Sequence, residues 1–149
     1  KGLVVGFYKE NMLAKNSINN IKSNNRIINI LGSLYAKKNN FDDCLLLNTD
    51  KNIVELLSGN LFIVIDNMII TPPLDDGCVD GVMRKILLSN SDINIKEASI
   101  NVSELLNADE VFITNVISGV QWVSQIKNNT YGNKYCQELI SALNRKYLI

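Results

Sequence analysis

A mixed α/β (α+β) fold is predicted for this chain by three observations. Short runs of β-branched and large apolar residues alternate with segments whose apolar positions recur every three or four residues. Pro, Gly, Asn and Asp cluster between those runs, and no segment repeats. With 149 residues, 46% of them hydrophobic, the chain is long enough to bury one core without a disulfide or a structural metal.

Each element has its own warrant. Leu3 to Tyr8 is rich in β-formers and reads as a strand, while the polar, Asn-rich stretch from Lys9 to Asn20 reads as a loop. From Ser23 to Lys38 the apolar positions Ile27, Ile28, Leu31, Leu34 and Tyr35 follow helical spacing, with Ser23 available as N-cap. Cys44 to Leu47 is a short apolar strand; Thr49 to Asn52 has turn chemistry and returns the chain as Ile53 to Leu57. Ser58-Gly59-Asn60 breaks that run, Leu61 to Ile65 resumes it, and Asp66-Asn67 is a two-residue hairpin turn into Met68 to Ile70. Thr71 to Gly77 is a loop, because two prolines exclude both ladder pairing and a helix interior. Val82 to Leu88 reads as a helix and Ile93 to Lys96 as a strand. Asn101-Val102-Ser103-Glu104 is a capping box. Glu110 to Thr114 and Val120 to Ile126 are further strands, and Lys134 to Lys146 is a helix with Cys136, Leu139, Ile140 and Leu143 on one face. The frequent asparagines, including Asn19-Asn20 and Asn24-Asn25, read as compositional bias.

Composition removes several functions. Fifteen basic residues balance fifteen acidic ones, so the electrostatic footprint of nucleic-acid binding is missing. Histidine is absent, which excludes a Ser-His-Asp triad, a Cys-His pair and a histidine-based zinc site; any general base must be Lys, Asp, Glu, Tyr or Cys. Cys44, Cys78 and Cys136 are odd in number and widely spaced, which suggests neither a disulfide framework nor a metal site and fits a reducing cytoplasm. No apolar run is long enough for a membrane helix. The chain starts on a strand-like run without Met or signal peptide, and is expected to be a piece of a longer protein.

Three places invite chemistry. Glu55 lies in an apolar strand, where it is either solvent-facing on a half-exposed strand or buried and in need of a partner. Val79 to Arg84 follows a Pro/Gly loop and opens a helix, so its free N–H groups offer an anion site, as any helix start does. Lys22, at a loop-to-helix junction, is by itself a solvated lysine.

In order, these segments resemble the fold-type IV pyridoxal-phosphate (PLP) enzymes, the family of branched-chain and D-amino acid aminotransferases and aminodeoxychorismate lyase. Ile21-Lys22-Ser23-Asn24-Asn25-Arg26 is similar to the segment around that family's Schiff-base lysine, and Glu55 follows at a family-like distance. Glu55-Leu56-Leu57-Ser58-Gly59-Asn60-Leu61-Phe62 resembles the signature whose glutamate faces the pyridine nitrogen. Thr71-Pro72-Pro73-Leu74, then Gly81-Val82-Met83-Arg84, resembles the Thr-Pro loop and the helix start that holds the phosphate; Ala108 to Asn115 is similar to the late strand whose end approaches it. Met83 and Asn115 follow the lyase pattern, and Trp122 stands where the family has proline.

The resemblance implies a C-terminal pseudo-barrel domain with a mixed sheet and flanking helices, spanning 1–149, with the family's N-terminal domain absent. It implies PLP as cofactor, Lys22 as catalytic residue, and cofactor contacts from Lys22, Glu55, Ser58, Asn60, Val82, Met83 and Asn115. It further implies amino transfer between an amino acid and a 2-oxo acid by the complete protein, a homodimer. The alternatives are a lyase releasing pyruvate and 4-aminobenzoate, or a fragment without activity. PLP chemistry uses a lysine rather than histidine to move protons, so the composition is compatible.

Overall fold

The first apolar run continues further than its composition suggests. In the computed structural model, which describes residues 1–147, β1 is Leu3–Leu13. Its polar second half stays extended because, beyond a register shift after Tyr8, Leu13 still pairs with Asn48 of the next strand, so tertiary pairing overrides the propensity of Lys9 to Asn11. A 3₁₀ turn over Ser17–Asn20 precedes α1, Ile27–Lys38, and β2 is Asp43–Asn48, parallel to β1.

The hairpins fall where turn chemistry puts them: β3 is Ile53–Leu56, β4 Asn60–Ile65 and β5 Met68–Thr71. Asp66 and Asn67 both take positive φ, as that turn requires. A 3₁₀ turn over Leu74–Asp76 interrupts the Pro loop and leads to α2, Val82–Leu88. The strand expected from Ile93 instead forms β6 at Ile95–Glu97, because the Ile93 amide closes a turn onto the Asn90 carbonyl at 3.1 Å. α3, Val102–Leu106, has the full capping box: Asn101 and Glu104 each accept the other's backbone N–H at 2.9 Å. Then come β7 (Glu110–Asn115), β8 (Gly119–Ile126), an unexpected two-residue β9 (Asn129–Thr130) and α4 (Lys134–Tyr147).

The strands form one mixed sheet ordered β3-β2-β1-β8-β7-β4-β5-β6, with β9 beside β8. A further pairing of β3 with β4 closes six of them into a barrel, and its register pair is Glu55 with Asn60. Inside sit Val5, Leu45, Leu47, Ile53, Leu61, Ile63, Ile113 and Val123. Two outer clusters are covered by helices. Tyr8, Leu46 and Val54 pack toward α1, whereas Phe62, Val64 and Phe112 pack toward Leu87 of α2 and Cys136, Leu139 and Leu143 of α4.

α1 departs from expectation twice. It starts at Ile27 rather than Ser23, with Arg26 at the N-cap position and no side-chain cap. Its apolar stripe is also only half covered: Ile28 and Tyr35 pack toward the sheet with the buried Gly32 and Ala36, while Ile27, Leu31 and Leu34 are exposed. The close approach explains the choice, since a Cβ on Gly32 would lie 2.5 Å from Leu57 Cδ2.

Candidate functional site

A register row across three strands gathers the polar residues that matter. Glu55 of β3 pairs with Asn60 of β4, and Asn60 pairs with Thr114 of β7. All three are buried, and Glu55 is only 2% exposed. They face outward, at the seam between the two helix-covered clusters.

Glu55 is aimed there by an irregularity. Leu46 pairs with Glu55 but Leu47 pairs with Ile53, so Val54 is the extra residue of a bulge. With strict alternation Glu55 would follow Ile53 into the apolar barrel; the bulge turns it to the opposite face, a common use of bulges beside functional sites. This settles the two sequence expectations for Glu55 in favour of burial with partners. Arg26 Nη2 donates to Oε1 in an ion pair, and the Val79 amide donates to Oε2 at 2.8 Å. Burial pushes the Glu55 carboxyl above its ordinary value, and the Arg26 guanidinium, the Val79 amide and the Lys22 ammonium pull it back.

Residue 79 is gripped from both sides. Its amide is held by Glu55 and its carbonyl accepts from Asn60 Nδ2 at 2.7 Å. Asn60 also lies against the start of α2: a Cβ on Gly81 would sit 2.1 Å from Asn60 Oδ1, so only glycine lets the two approach. The residues that place the carboxylate therefore place the helix start as well. Gly81, at the N-cap, offers no side-chain acceptor, and among the described residues the backbone amides of Val82 and Met83 have no intramolecular hydrogen-bond partner. Beside them, the buried Thr114 Oγ1 has no hydrogen-bond partner either.

Lys22 is exposed, in the segment between the first 3₁₀ turn and α1. Anchors flank it on both sides. Asn20 Nδ2 donates to the carbonyls of Leu74 (2.9 Å) and Cys78 (2.6 Å), and the Asp80 amide donates to the Asn20 carbonyl at 2.9 Å. Arg26 ties the other end to Glu55. The late start of α1 follows from these ties, which hold residues 21–26 out of the helix. Asn20 and Arg26 are functional residues that composition and periodicity do not mark, since Asn20 reads as part of the asparagine bias; the one signal is their position two before and four after Lys22.

Two expected contacts are otherwise engaged. The exposed Ser58 donates its hydroxyl to the buried Asp43 carboxylate, and Asn115 Oδ1 accepts the amides of Ile117 (3.0 Å) and Ser118 (2.7 Å) in the β7–β8 turn. A depression of about 360 Å³ lined by Val5, Phe7, Tyr35, Phe41 and Lys127 shares no residue with the row. Among the described residues no cluster of three acidic, His or Cys side chains offers a metal site, no helix is long and apolar enough to cross a membrane, and the three cysteines are free and buried.

Comparison with known proteins gives this geometry a family. The aminodeoxychorismate lyase of Vibrio harveyi is 37% identical over 108 residues, covering 70% of this chain and 40% of that protein. The mitochondrial branched-chain-amino-acid aminotransferase 1 of Arabidopsis thaliana is 33% identical over 121 residues, 76% of this chain and 32% of its own length. The crystal structure of a putative 4-amino-4-deoxychorismate lyase from Legionella pneumophila superposes with a TM-score of 0.88 at 26% identity, covering 97% of this chain and 56% of that one. The chain thus spans less than two thirds of the proteins it matches. The family model for amino-transferase class IV matches residues 4–126, and the chain belongs to that family.

Proposed function

We propose that this chain is the C-terminal, PLP-binding domain of an enzyme that moves an amino group between an amino acid and a 2-oxo acid. The observation that carries this is the outward row of Glu55, Asn60 and Thr114 beside Lys22: a deeply buried carboxylate beside a lysine-bearing loop and an uncapped helix start.

The residues fit the cofactor. PLP supplies an electron sink for bonds at a substrate's α-carbon. Glu55, paired with Arg26, would present its carboxylate to the ring nitrogen. Val82 and Met83 would offer backbone N–H groups to the phosphate, and the orphaned Thr114 hydroxyl would gain a partner there. Lys22 would hold the cofactor through its Nζ, and its amine would be the base that moves a proton at the substrate's α-carbon. Asn60 acts through Val79 and Gly81 rather than by touch, Ser58 holds the β3–β4 turn through Asp43, and Asn115 contributes at the phosphate end through the turn it closes.

The remainder of the site belongs to an N-terminal domain outside this chain, and the complete protein is a cytoplasmic homodimer. The free thiols and the uncovered apolar face of α1 support this. The similarity to the Vibrio harveyi lyase and the lyase-like Met83 favour a second reading, release of pyruvate and 4-aminobenzoate. Giving the complete protein an amino donor and no acceptor separates the two. Transfer predicts one stoichiometric conversion of the cofactor to its amine form and then arrest. Repeated turnover of aminodeoxychorismate to pyruvate without a 2-oxo acid contradicts it.

A further inference from the structure

Arg26 is not held by Glu55 alone. Its Nε donates to Asn29 Oδ1 at 3.1 Å, and Asn29 Nδ2 donates to the Leu57 carbonyl at 3.1 Å. The guanidinium is thus fixed between the first turn of α1 and the end of β3. It meets one carboxylate oxygen while the Val79 amide meets the other. Each carboxylate oxygen accepts two hydrogen bonds, so a lone pair on each remains for a third partner. Both donors therefore stabilise the carboxylate without using up its capacity.

We propose that Arg26 is a positioning residue that decides where the proton shared between Glu55 and a cationic ring nitrogen resides, an inference that rests on the functional reading above. The guanidinium lies at hydrogen-bond distance from the carboxylate, and a ring on the carboxylate's open side lies further from it. Coulomb energy falls with distance, so Arg26 stabilises the carboxylate more than it repels the ring cation. The proton is thereby driven onto the ring nitrogen, where it makes the electron sink. Without Arg26, burial makes the neutral carboxylic acid the favoured form, and the proton returns to Glu55. Other titratable groups near Glu55 are Lys22, on the exposed loop, and Cys78, whose thiol burial pushes up to about 12 and so keeps neutral.

The test is the nitrogen NMR signal of ring-¹⁵N-labelled PLP in the complete protein. Wild type is expected to give a pyridinium signal, Arg26→Met and Arg26→Gln a hydrogen-bonded neutral pyridine, and Arg26→Lys a return toward pyridinium. Proton abstraction should slow more than tenfold in the first two. Arg26→Gln keeps a hydrogen-bond donor without the charge, so it remains decisive should Arg26→Met not hold cofactor. A pyridinium signal in Arg26→Gln overturns the inference. Wild type that takes up no PLP refutes the functional reading instead. On the unloaded protein, a double-mutant denaturation cycle of Arg26→Gln with Glu55→Gln reads the Arg26–Glu55 coupling on which the inference depends, and zero coupling overturns it.

Discussion

Glu55 owes its role to a single extra residue in its strand. The bulge at Val54 takes a carboxylate that alternation would have sent into an apolar barrel and delivers it to Arg26 and the Val79 amide. Glu55→Gln tests that placement. The amide can still accept from Val79, and Arg26, one fifth exposed, can turn to water, so the stability cost should fall below the roughly 3–5 kcal/mol of breaking a fully buried pair. In the complete protein the fold and bound cofactor should survive, while turnover falls by several orders of magnitude because a neutral amide cannot hold the ring cation. Circular dichroism, cofactor absorbance and turnover together check this; unchanged turnover would make Glu55 a structural residue only.

At the scale of elements, the β3–β4 turn is held by a buried acid. Asp43 Oδ1 accepts the amides of Cys44 (2.6 Å) and Leu57 (3.1 Å), and Oδ2 accepts the Ser58 hydroxyl. Burial raises the Asp43 carboxyl above its ordinary value of 3.8 despite those donors. A raised carboxyl binds its proton more tightly when folded. Its stabilising contribution is therefore complete below the unfolded value and lost as pH rises through the folded one. Asp43→Asn keeps the acceptor for both amides and removes that loss, so its Tm relative to wild type should be higher at pH 7 than at pH 4; the opposite trend in a pH series of thermal melts would contradict the assignment. Elements of this kind were legible where the determinants are local: the Asp66-Asn67 turn, the Asn101/Glu104 capping box, α2 and the Cys136, Leu139 and Leu143 face of α4. They were not legible where distant partners decide. The tail of β1 is fixed by Asn48, and the start of α1 by Glu55 and the Leu74–Cys78 loop. The site divides in the same way. Lys22, Arg26, Glu55, the α2 start and Thr114 lie within motif segments, whereas the tie of Arg26 to Glu55, the anchoring of Asn20 and the row that takes in Thr114 come only with barrel closure.

For the whole molecule, barrel closure and site assembly are one event, because the pair that joins β3 to β4 is Glu55 with Asn60. The barrel interior is complete within these residues, but α1 leaves Ile27, Ile30, Leu31 and Leu34 uncovered, an apolar surface of the kind that marks an interface. The 149-residue chain expressed alone should therefore fold and self-associate, yet bind PLP far more weakly than the complete protein, whose other domain would exclude water and add charge to the phosphate. Sedimentation with a PLP titration checks this; a monomer binding PLP stoichiometrically and tightly would show that the domain carries the site unaided. The central claim is that the closed barrel, with Lys22 held between Asn20 and Arg26, is a PLP site. Borohydride reduction of the complete, cofactor-loaded protein followed by peptide mapping tests it most directly. The pyridoxyl group is expected on Lys22; its appearance on Lys15, Lys37 or Lys38, or on no lysine of this chain, would contradict the account.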